Sequence, residues 1–121
     1  MSLSDRDKVL LKKMLAEISD IEMFVAGMDC GSFLREKMAQ KAVIMTLINM
    51  GELAKNLSAD FVGETQHVPW HKIRGLRNIA AHRYDVVKME NIWFTIEQDI
   101  PFLKALLSAR LSMPVEDDSE E

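Results

Sequence analysis

Arg77 and His82 bracket the segment Arg77-Asn78-Ile79-Ala80-Ala81-His82-Arg83-Tyr84, where polar side chains of complementary chemistry are concentrated. A guanidinium stays charged at any relevant pH and can grip two phosphate oxygens together, while an imidazole titrates near neutrality and can move a proton. That pairing suits cleavage of RNA by its own 2'-hydroxyl. The histidine would act as general base or acid, the arginine would stabilise charge building on the phosphate, and no metal would be required. If one helix carries the segment, a five-residue step at about 100° per residue sets Arg77 and His82 roughly 140° apart. Asn78 lies one turn before His82 and can orient its ring, whereas Tyr84 lies two turns after Arg77 and returns to its side. A single copy offers one proton carrier. A symmetric dimer would supply two histidines and two arginines, so a homodimer is expected.

Phosphate needs a positive field, yet the chain carries a net charge of -4. Five of its acids, Glu116, Asp117, Asp118, Glu120 and Glu121, lie in the last six residues. The window from Thr65 to Tyr84 contains Lys72, Arg74, Arg77 and Arg83 and no carboxylate. Lys72, Arg74 and Arg83 are therefore candidate contacts to RNA phosphate, although a solvated basic helix face would read the same way. Glu52 interrupts the apolar face of its helix, where an unpaired carboxylate would be costly, so it is expected to be paired. It serves either as a structural salt bridge or as the group that holds Arg77 or His82 in place.

The elements that must position these residues read as helices, for glycine and proline are scarce and no run alternates with period two. The first helix is expected after Ser4 or Asp5, with Leu11, Met14, Leu15, Ile18, Ile21 and Val25 inward, ending near Gly27. Ser32 is expected to cap a long second helix that ends near Ser58. Its middle, from Ala42 to Met50, is apolar nearly all round, as in central or interface helices. Ala59 to Val68 reads as a polar connection, and Pro69 as the first turn of a third helix whose Trp70, Ile73, Leu76 and Ala80 share one side. A last stretch begins near Lys88 with Ile92, Trp93, Ile96, Ile100, Leu103 and Leu107 inward. Pro101 should kink or divide it.

The longer run Pro69-Trp70-x-x-Ile73-x-x-Leu76-Arg77-Asn78-x-x-x-His82-x-Tyr84, followed by Ile92-Trp93 and Asp99-Ile100-Pro101, closely resembles the HepT-like proteins, a branch of the HEPN superfamily. Gly51-Glu52-Leu53-Ala54-Lys55 resembles the family's glycine-glutamate-alanine segment, with Leu53 where alanine is usual. The resemblance runs from about Asp5 to Leu107. It implies an all-α, antiparallel four- to five-helix bundle that dimerises with its motifs facing across a cleft. It further implies an endoribonuclease toxin, independent of metal and of any cofactor, encoded beside a minimal nucleotidyltransferase antitoxin. By position Arg77 and His82 become the catalytic pair, Asn78 the polar residue that often follows the arginine, and Tyr84 the tyrosine that such antitoxins modify with AMP. The alternative is a catalytically inactive helical dimer that binds nucleotide or RNA.

Several other roles are disfavoured. His67 and His71 have a spacing that could suit a metal, but Pro69 sets His67 ahead of the helix and no third ligand is evident. Cys30, the one cysteine, has no nearby histidine in sequence and can form no intrachain disulfide. The nine methionines read as core and interface filling. No run approaches the roughly 20 apolar residues of a membrane span, so a cytoplasmic protein is expected. Residues 1–113 are read as one domain and 114–121 as a disordered acidic tail.

Overall fold

Ser4 opens the first helix as its residue type suggests: its backbone is extended, and its Oγ accepts the N–H of Asp7 at 3.0 Å. In the computed structural model, which describes residues 3–78 and 87–113, helix α1 then runs over Asp5–Phe24. Leu11, Met14, Ile18 and Ile21 form its fully buried stripe. The helix gives way at Val25, and Gly27 takes a φ of 79°, a conformation that carries no steric cost only for glycine.

Ser32 does not cap the long second helix. The carboxylate of Asp29 accepts the Ser32 N–H at 2.8 Å while Ser32 Oγ accepts the Asp29 N–H at 3.0 Å, a reciprocal box that starts a separate short helix, α2 (Cys30–Leu34). The bond from the Ser32 backbone, followed by that from its side chain, holds the Asp29 carboxyl below its usual range. Helix α2 turns Phe33 inward, where its ring lies 5.2 Å from that of Trp93. After Arg35 and Glu36 the chain restarts as α3 (Lys37–Ala54).

Helix α3 buries Ala39, Val43, Ile44, Leu47, Met50 and Ala54, and it stops short of Ser58. Asp7 at the start of α1 bonds to Ser58 just beyond α3, and Glu17 meets Asn49, so the two long helices run antiparallel. The stretch expected as a polar connection holds a further helix, α4 (Ala59–Glu64), capped by Ser58, whose Oγ accepts the Phe61 N–H at 3.1 Å. Phe61, Thr65 and Val68 are buried there, so this segment belongs to the core. Helix α5 (Trp70–Gly75) follows with Pro69 as its N-cap, one position earlier than its residue type suggests.

The last stretch is divided as expected. Helix α6 (Met89–Phe94) passes into a single π-helical turn, Thr95–Asp99, and then into α7 (Ile100–Ser112), with Pro101 in its first turn. In an unbroken α-helix the ring of Pro101 would strike the carbonyl four residues back, and the wider turn relieves this. Ile92, Trp93, Ile96, Ile100, Leu103 and Leu107 are all buried. Helix α1 packs on α3 and α7, and α3 packs on α5. The described residues are helical with no strand, which is the all-α architecture read from the sequence. No helix among them is long and apolar enough to cross a membrane. Residues 79–86 and the acidic tail lie outside the described residues.

Candidate functional site at Arg77

Helix α5, only six residues long, is too short to hold its own shape, so neighbours fix both its ends. At its start the indole N–H of Trp70 donates to Thr65 Oγ1 at 2.9 Å, and Thr65 donates onward to the Phe61 carbonyl at 2.7 Å. The Phe61 and Trp70 rings lie 5.9 Å apart. At its end α5 meets α3 backbone to backbone. A Cβ placed on Gly51 would lie 2.9 Å from both the Arg77 N and the Ile73 O, and 3.3 Å from the Arg74 O.

The chain leaves α5 through Leu76 and Arg77, so Arg77 sits in the turn after the helix. Its Nη1 lies 3.6 Å from Glu52 Oε2, while Glu52 Oε1 lies 3.2 Å from Lys55 Nζ. The expectation that Glu52 is paired agrees with this geometry, but the expectation that it interrupts a buried face does not. Its side chain is 48% exposed, because it continues the solvent-facing row of Met38 and Met45, each seven residues apart. One carboxylate thus lies between two exposed cations. The group as a whole keeps one positive charge.

Lys72 is already engaged, with Nζ 3.0 Å from Asp99 Oδ2 in the π turn. Arg74 is half-buried, and its Nε has no hydrogen-bond partner among the described residues. Asn78 is exposed beside Arg77. The positions of His82, Arg83 and Tyr84 lie outside the described residues. His67 and His71 are exposed, and His67 meets Phe102 edge-on at 6.2 Å. No cluster of three or more His, Cys, Asp or Glu suited to a metal occurs among the described residues.

Sequence reasoning gave no individual role to Lys55, Asp99, Gly51 or Thr65. The i, i+3 spacing of Glu52 and Lys55 on one helix could have revealed the first. The carboxylates of Glu52 and Asp99 come from other elements, so the absence of acids from the window Thr65 to Tyr84 is a fact of sequence and not of space.

A family model described as Ribonuclease HepT-like matches residues 14–110, a span that includes Gly51, Glu52 and all of Arg77 to Tyr84. A Methanocaldococcus jannaschii protein provisionally named an RNase is 33% identical over 103 residues, covering 84% of this chain and 94% of its own. A second protein of that organism, also provisionally named an RNase, is 35% identical over 94 residues, 78% of each chain. A Thermococcus cleftensis protein named a probable ribonuclease HepT is 34% identical over 97 residues, 80% of this chain and 88% of its own. No solved structure matches the chain.

Proposed function

This chain belongs to the ribonuclease HepT-like family, and we propose that it is a metal-independent endoribonuclease, the toxin of a pair whose antitoxin is a minimal nucleotidyltransferase. The observation that carries the reading is the exposed Arg77 guanidinium, oriented by Glu52 within the span the family shares. Arg77 would hold the scissile phosphate and stabilise the charge that builds on it. His82 would take the proton of the 2'-hydroxyl, whose oxygen attacks phosphorus as the bond to the 5'-oxygen breaks. The leaving oxygen would receive a proton from a second acid, and the products would be a 2',3'-cyclic phosphate and a 5'-hydroxyl.

In a homodimer that acid is His82 of the partner subunit. The row Met38, Met45 and Glu52 supports the dimer: the two methionines are 82% and 59% exposed, and the row leads directly to Arg77. Asn78 would orient the His82 ring, and Lys72, Arg74 and Arg83 would hold flanking phosphates. Lys72 has to exchange Asp99 for phosphate, which costs little because an exposed ion pair contributes only about 0–1 kcal/mol. The antitoxin would silence the site by transferring AMP from ATP to the Tyr84 hydroxyl, with pyrophosphate leaving. The added phosphate would then occupy Arg77.

The test is cleavage of single-stranded RNA by purified protein in EDTA, with the ends of the products identified. Activity lost in both Arg77→Ala and His82→Ala, with helical content retained, is the expected result. Undiminished cleavage by His82→Ala would overturn the assignment, and RNA binding without cleavage by the wild type would make the chain a binding module.

A further inference from the structure

We infer that Gly51 is a positioning residue of the ribonuclease site, setting the backbone of Arg77 so that Glu52 can orient its side chain; this rests on reading Arg77 as the phosphate-holding arginine. Glycine inside a helix costs about 1 kcal/mol relative to alanine, so a buried glycine near the end of α3 calls for a reason. The reason is contact. The three nearest atoms to a Cβ at Gly51 would be the backbone Arg77 N, Ile73 O and Arg74 O, none of which can rotate aside. Gly63 and Gly75, also in helices, would each place a Cβ in open space, so close approach is particular to Gly51.

Helix α3 is held along its length by α1, whereas α5 is short and leads into a turn. A methyl at Gly51 would therefore displace α5 and Arg77 and leave α3 where it is. The contact between Arg77 and Glu52, at 3.6 Å, has little length to spare. Adjacent residues of one helical turn thus divide the work: Gly51 fixes where Arg77 begins, and Glu52 fixes where its guanidinium ends.

The test uses the full chain labelled with 15N. In Gly51→Ala the backbone amide signals from Ile73 to Asn78 should shift, the Arg77 side-chain Nε–H signal should move to its position in Glu52→Gln, and signals of α1 should stay in place. Gly75→Ala should leave the Arg77 signals unchanged. Glu52→Gln should alter the Arg77 side-chain signal, with that of its other partner Lys55, and leave the Arg77 backbone amide in place. If Glu52→Gln also displaces the Arg77 backbone amide, the carboxylate and not the glycine positions the arginine, and the inference fails even where the alanine protein does not fold. Wild-type Arg77 signals in Gly51→Ala would overturn it equally.

In RNA cleavage, kcat of Gly51→Ala should fall about a hundredfold, the cost of about an ångström of misplacement, with KM little changed. Amide shifts in a protein whose wild type cleaves no RNA would end the ribonuclease reading and leave the positioning intact. Cleavage by Gly51→Ala as fast as by the wild type would do the reverse.

Discussion

Asp7 is the charged side chain most deeply withdrawn from water among the described residues, at 2% exposure, and it is fully occupied. Its carboxylate accepts the Ser58 N–H at 3.0 Å and the Ser58 hydroxyl at 2.6 Å, joining the first turn of α1 to the cap of α4. Asp7→Ala leaves both donors of Ser58 without an acceptor, a loss of roughly 2 kcal/mol. At about 4 °C per kcal/mol for a domain near this size, thermal unfolding should fall by about 8 °C. Asp7→Asn, which keeps one acceptor oxygen, should lose less, and equal midpoints by calorimetry for all three proteins would refute the linkage. The ion pair of Arg77 and Glu52 belongs to the opposite regime. Both partners are more than two-fifths exposed, so the pair contributes about 0.2–1 kcal/mol at most, and its importance is directional.

Among the elements, α5 depends most on what surrounds it. Thr65→Val keeps the shape of the side chain and removes the oxygen that accepts from Trp70 and donates to Phe61. This should cost roughly 2 kcal/mol and shift the emission of Trp70, read in a Trp93→Phe background; Thr65→Ser should restore both. Unchanged emission and stability in Thr65→Val would mean that α5 starts without this link. The long helices were legible in the sequence because five or six turns repeat their apolar spacing often enough to show it. The stripe from Ile92 to Leu107 even survives the π turn. Helices α2 and α4, at five and six residues, are too brief to show a period; their caps, Asp29 and Ser58, were the only local signal. In the site, residue types marked Arg77 as a candidate and announced the pairing of Glu52. That its carboxylate reaches Arg77 depends on how α3 faces α5, a tertiary fact that no spacing carries, whereas its exposure follows the seven-residue row of Met38 and Met45.

For the molecule as a whole, the proposed dimer places the Met38 and Met45 row against a second copy. Light scattering should report twice the 13.8 kDa chain mass, and Met45→Glu should return it to one. A Met45→Glu protein that remains dimeric would move the interface elsewhere. The two carboxylates that flank the basic segment, Glu52 and Asp99, bear on how binding responds to electrolyte. A cation that trades a protein carboxylate for a phosphate frees one counterion from RNA, but the released carboxylate then recruits another from solution. Each such trade cancels a contribution of about 0.7 to the slope of log affinity against log salt on a single strand. Asp99→Asn should steepen that slope by about 0.7 while raising affinity at low salt, because Lys72 would then arrive unpaired. If Lys72 and Arg77 hold RNA as proposed, the wild-type protein is buffered, its hold on RNA varying less with the ionic medium than its count of lysines and arginines would suggest.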